Sequence, residues 1–280
     1  MKFLLLLLVS FTVNAQNFEG HLTLYVSPPP LPIDWSSPFR LLGSIQLNRL
    51  SLNQRPLGVV YSEVQCAQER QVVTSYYQEL DLFNRLTLEQ QGLGVLFSNF
   101  PGELETGAKI ESELSDRLTE KKIRFIRFAI NEGHCQRLQK YLSEYISKNV
   151  GRNWGLPHRP EAGEGGTSIA LAVSLLDVLG FKDEIYNEGW TTALQVPTEL
   201  IGAPINEKSV SPLSLIGSQW AKANESARSL FFWDKEKMNK WLELNQGNFP
   251  NTTINGVSGL LIDRRHFPVI QKSFWRQDLR

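Results

Sequence analysis

Two hydroxyls stand side by side at Thr167 and Ser168, after the pair Gly165-Gly166 and before a run that is polar only at Ser174 and Asp177 through Leu179. A helix built from that run has no wet face and must be buried. Its first amide N–H groups lack helical partners and its dipole favours negative charge, so its start can serve a nucleophilic hydroxyl or bind an anion. Ser168 is the candidate nucleophile. Thr167, Gly166, Glu164 and His158, in the approach WGLPHRPEAGEGG, are the candidate binding residues around it. Glu161 and Glu164 could also form an acid pair, but on a glycine-rich loop they read as solvated carboxylates.

The second reactive pair is Cys66 and Cys135, the only cysteines in the chain. In an oxidising compartment they read as one disulfide. The competing reading makes Cys135, beside His134 at a helix start, a thiolate nucleophile, which would leave Cys66 as an odd free thiol.

Other chemistries lack a signal. HExxH, CxxC, the P-loop and G-x-S-x-G are missing, and GVSGL around Ser258 falls one residue short of the last. The four histidines, at 21, 134, 158 and 266, have no metal-ligand spacing, so neither a metal nor a cofactor is expected. With 29 Lys+Arg against 29 Asp+Glu there is no basic excess to neutralise phosphates, which argues against a nucleic-acid partner.

The elements that position these groups follow in chain order. MKFLLLLLVSFTVNA, residues 1–15, has a cationic start, a short apolar core and a small-residue cleavage site, and reads as a secretory signal peptide. That core is too short for a membrane span and no later run approaches one, so a secreted or periplasmic protein without a transmembrane segment is expected. Residues 16–280 then form one domain, with a C-terminal extension from about 182. Strands are expected at His21 to Val26, Leu57 to Cys66, Val72 to Tyr77, Leu93 to Phe97 and Ile123 to Ile130. Helices are expected from Pro38 to about Leu52, from Ile110 to Glu120, after the cap Asn131, over about 168–179, and after the cap Asp234 to about Asn245. Thr167 or Ser168 caps the buried helix and Gly180 closes it in the left-handed region. VSGLLIDRR suggests a late hairpin. The fold class is α+β, a mixed or antiparallel sheet packed on the buried central helix.

Over roughly Arg55 to Phe181, the segments RPLGVVYSEVQC, the helix after HCQRL, and WGLPHRPEAGEGGTSIALAVSLLDVLGF resemble the circularly permuted papain-like (NlpC/P60-like) superfamily. That resemblance implies a papain-like fold in which a His-bearing strand precedes a Cys-bearing helix. The thiolate attacks an amide or ester carbonyl and the imidazole acts as base. Here Ser168 stands where the resemblance leads one to expect Cys, and Val59 where it leads one to expect His. An alcohol needs a well-placed base as it attacks, so Ser168 is left without an activator unless His21, in GHLTLYV, supplies one, His158 of the approach loop being the other imidazole close in sequence. The resemblance therefore implies an exported, non-catalytic binding or accessory protein of the cell envelope with a peptide or lipid ligand. The alternative is a hydrolase or acyltransferase on peptide or lipid amides or esters, using Ser168 with an imidazole.

Overall fold

The computed structural model describes residues 20–50, 55–78, 82–181, 184–271 and 273–275. The expected signal peptide, and the expected end of the first helix at Leu52, lie outside the described residues.

In chain order the elements are β1 (Gly20–Ser27), α1 (Pro38–Leu50), β2 (Val59–Cys66), β3 (Glu69–Tyr77), α2 (Leu82–Thr87), β4 (Phe100–Thr106), α3 (Ala108–Thr119), β5 (Arg124–Ile130), α4 (Glu132–Ser147), β6 (Asn153–Trp154) and α5 (Ser168–Leu179). The chain continues with α6 (Glu184–Gly189), β7 (Thr191–Pro197), β8 (Ala227–Trp233), α7 (Lys235–Leu244), β9 (Asn251–Ile254) and β10 (Val257–Asp263). Eight strands form one sheet in the order β6-β4-β3-β2-β1-β5-β10-β9, antiparallel except for β5 with β10. β7 and β8 form a separate hairpin. The α+β architecture with a mostly antiparallel sheet matches the sequence reading.

Alternation along the strands gives the sheet two working faces. Leu22, Leu24, Val26, Val60, Val64, Ile126 and Phe128 pack in one cluster with α4 and α5. Tyr25, Val59, Tyr61, Val72 and Phe125 pack in another with Ile110, Leu114 and Leu118 of α3. Every residue of α5 except Asp177 is buried, as the missing wet face requires. Thr167 is its N-cap, with Oγ1 accepting from Ala170 N, and Gly180 closes it at φ 76°.

The segment after residue 181 is built into the core. Trp190, Met238 and Leu242 join the α5 cluster, and β10 extends the main sheet beside β5. A late hairpin is present, but VSGLLID is a single strand of it, β10, paired with the preceding β9 across a turn at Asn255 and Gly256.

One expected strand is corrected: Leu93–Phe97 is a 3-10 turn. Leu93, Val95 and Leu96 are all buried in a third apolar cluster. A strand would have sent Val95 and Leu96 to opposite faces, whereas the tight turn lets neighbours share one.

Cys66, ending β2, is bonded to Cys135 in the first turn of α4, with S–S 2.08 Å and Cα–Cα 5.8 Å. The thiolate reading of Cys135 is thereby overturned, because its sulfur is committed and 2% exposed within the core. The bond ties the α4 layer to the sheet and closes a loop of 69 residues. In the chain-entropy picture a loop of that size stabilises by about 4 kcal/mol. Iodoacetamide treatment of the denatured, unreduced protein is expected to label neither cysteine, and labelling of both would contradict the bond.

Candidate functional site

The start of α5 meets the start of β2. Ser168 Oγ accepts a hydrogen bond from the backbone N–H of Val60 at 3.0 Å, and Ser168 is 2% exposed. The hydroxyl thus serves as a stitch between helix and sheet. An attacking alcohol needs a base on its proton and an open approach for the carbonyl. Ser168 lacks that exposure, and no imidazole is within hydrogen-bond reach of it among the described residues.

Neither Val59 nor His21 shares a face with it. Val59 packs in the α3 cluster, so what Ser168 meets is the main chain of the next residue. His21 lies on the same far side, in register with Gln65, and its Nε2 is 3.3 Å from Glu63 Oε1. Glu63 also takes Arg70 at 2.8 Å and Arg127 at 3.6 Å. Burial works to raise the Glu63 pKa, and these partners more than offset it, so the carboxyl stays below its usual range. The sheet itself stands between His21 and Ser168. A one-residue change of register inverts every side chain of a strand, so local likeness of sequence did not reveal which face each residue takes.

The loop before α5 is braced. Glu164 accepts from Arg159 N at 3.0 Å and pairs with its guanidinium at 2.9 Å. Burial opposes ionisation of Glu164, but the Arg159 contacts dominate and hold its pKa down. Glu164 therefore braces this loop. His158 packs over Gly155, where a Cβ would come 2.7 Å from the ring, and burial depresses its pKa. Gly166 sits at φ 146°, its carbonyl accepting from Ser75 Oγ at 2.5 Å and its N–H donating to Asn153 O at 3.1 Å. A Cβ there would stand 3.2 Å from Ala170 Cβ and 3.3 Å from His158 O.

Beside this start opens an apolar cleft with an empty volume of about 840 Å³ counting its mouth. Leu42 and Ile45 of α1, Val95 and Leu96 of the 3-10 turn, and Phe100 and Trp154 line it. Thr167 reaches it, and the polar end is Asp234, Lys235 and Glu236 where β8 passes into α7. Of the candidate residues, only Thr167 lines the cleft; Ser168, His21 and His158 do not. Lys235 was missed in the sequence reading. Its signal was a cation at the first position of a helix, where the dipole disfavours it, separated only by the cap Asp234 from the apolar strand end SLFFW.

No group of three or more His, Cys, Asp or Glu side chains among the described residues could hold a metal ion. No described helix is long and apolar enough to cross a membrane. Comparison with family models, curated proteins and solved structures finds no match to this chain.

Two outcomes follow from this geometry. Gly166→Val is expected to cost about 1 kcal/mol or more and lower the melting temperature by several degrees; an unchanged melting curve would contradict the strained turn. The double substitution Val59→His with Ser168→Cys is expected to react with iodoacetamide at the rate of Ser168→Cys alone. A faster reaction near pH 7 would mean that an imidazole does reach the sulfur.

Proposed function

We propose that this chain is an exported, non-catalytic protein of the cell envelope, a degenerate papain-like domain whose cleft binds a small ligand with an apolar body. The observation that carries the reading is an aliphatic and aromatic cleft that reaches the capped start of the buried helix and, among the described residues, is lined by no imidazole. A papain-like enzyme would keep its nucleophile and base at that start. Here Thr167 Oγ1 is occupied in capping Ala170 N, and Ser168 Oγ holds Val60 N. What supports the papain-like likeness is the order of parts, an antiparallel sheet entered before a buried helix whose glycine-rich approach folds back on it. Export is supported by the disulfide and by the leader-like start of the sequence.

Binding in such a cleft comes from area removed from water, on the order of 25 cal/mol per Å² of apolar surface. Concave apolar sites with a few convergent polar groups are where small molecules bind. The lining supplies both parts, with Leu42, Ile45, Val95 and Leu96 for the body and Thr167 and Lys235 as polar groups for orientation.

A fluorescence titration with the neutral probe N-phenyl-1-naphthylamine tests the reading. Saturable enhancement is expected, weakened at least tenfold in Ile45→Arg, a half-buried wall position, with an unaltered circular-dichroism spectrum. Wild type and Ser168→Ala should hydrolyse p-nitrophenyl decanoate at the same background rate. Probe binding indifferent to Ile45→Arg would overturn the cleft assignment, and hydrolysis abolished by Ser168→Ala would restore the serine hydrolase.

A further inference from the structure

The polar end of the cleft holds an ammonium with little to bind. Lys235 is the first residue of α7, and its Nζ donates to Gly58 O at 3.1 Å. That is its one protein hydrogen bond among the described residues, although an ammonium carries three protons. The flanking carboxylates are turned to other work. Asp234 accepts from Thr192 Oγ1 at 2.7 Å and from the amides of Glu236 and Lys237, capping the helix. Glu236 Oε1 accepts from Ile33 N at 2.7 Å. Neither is in ion-pair contact with Lys235.

Lys235 is half-buried, and a cation drawn even partly out of water is costly unless paired and hydrogen-bonded. Gly58 is held at φ 67° where an added Cβ would stand 2.8 Å from Pro29 N and from Ser27 O, so the carbonyl that Lys235 uses belongs to a tightly packed turn. Thr167, the N-cap of α5, also lines the cleft and brings the positive end of that helix to it. The cleft thus presents one under-bonded cation and one helix dipole among an aliphatic and aromatic lining.

Resting on the cleft reading above, we propose that the occupant is an aliphatic carboxylate, its chain between α1 and the 3-10 turn and its carboxylate on Lys235 Nζ. The carboxylate would take protons that Gly58 leaves unused, in a charge-assisted hydrogen bond stronger than a neutral one. Burial holds the Lys235 pKa down to about 8, with Arg55 adding to the fall and with Asp234 and Glu236 opposing it. Burial likewise raises the Glu236 pKa, aided by Asp234 and opposed by the Ile33 hydrogen bond and Lys235. Lys235 is therefore charged at pH 7, and carboxylate binding weakens as pH rises beyond about 8 and the ammonium is lost.

The test displaces N-phenyl-1-naphthylamine from the full chain with decanoate or 1-decanol, both below their aggregation concentrations. At pH 7 decanoate is expected to compete at least tenfold better than decanol, with the advantage shrinking by pH 9.5. Lys235→Met should abolish the preference and keep decanol displacement, while Lys235→Arg should retain it. If Lys235→Met melts early, Lys235→Gln and the wild-type pH profile carry the same comparison. Equal competition by acid and alcohol, or a preference that survives in Lys235→Met, would overturn the carboxylate assignment and leave the apolar cleft standing. Failure of both compounds and of the probe to bind would overturn the cleft reading and this inference with it.

Discussion

A helix with no wet face has to be enclosed on all sides, and the architecture follows from enclosing α5. The sheet covers one side through Val60, Val64 and Val73, α4 covers another through Leu138, Tyr141 and Leu142, and Trp190, Met238 and Leu242 from the later segment join the same cluster. Enclosure leaves the polar groups of α5 to be satisfied internally, since an unpaired buried group costs on the order of 1–3 kcal/mol. Ser174 Oγ donates to Leu171 O and accepts from Tyr141, and Ser168 accepts from Val60 N. Ser168, the hydroxyl that looked reactive in sequence, is thus with Ser174 a fastener that lets an apolar helix be buried.

The same enclosure explains the disulfide and the charged side of the sheet. Cys66 and Cys135 join the end of β2 to the start of α4, fixing the layer that covers α5. On the opposite face α3 carries Glu113, which takes Arg55 at 2.6 Å, with Glu105 on the same guanidinium at 2.6 Å and the Tyr61 hydroxyl donating at 2.7 Å. Burial raises the Glu113 pKa, but its Arg55 and Tyr61 hydrogen bonds prevail and hold it below the usual carboxylate range. Its contribution to stability is present above the unfolded carboxylate pKa and is lost as pH falls through the depressed one. One face is therefore stabilised by apolar packing and a covalent tie, the other by apolar packing with a partly buried ionic network.

What sequence made legible was whatever local chemistry dictates. The Thr167 cap, the Gly180 terminator, the Asn131 and Asp234 caps and the alternation of Arg124–Ile130 are all short-range signals, and each element stands where those signals put it. The faces of the strands were not legible, because His21, Val59 and Ser168 are brought to their positions by the pairing of β1 with β2 and by the docking of α5. Leu93–Phe97 misled for a related reason. Its apolar run satisfies a strand pattern, and only the cluster formed with Val196, Leu200, Leu230 and Phe232 rewards a turn that buries neighbouring residues together.

The cleft was the least legible feature, since its lining comes from α1, the 3-10 turn, β4, the approach to α5 and the β8–α7 junction. Lys235 shows how such a site can still leave a trace. Helix starts favour Asp and Glu, and a lysine at the first position works against the dipole by a few tenths to about 1 kcal/mol at an exposed site, more where water is excluded. Asp234 and Glu236 offset part of that cost through space, but both carboxylates give their hydrogen bonds to backbone and to Thr192 rather than to the ammonium. A fold that needed only to begin α7 could have used any small polar residue after Asp234. Keeping an ammonium there, with one carbonyl for a partner and in a cleft of aliphatic and aromatic lining, is a local inconsistency of the kind that marks sites kept for something other than stability.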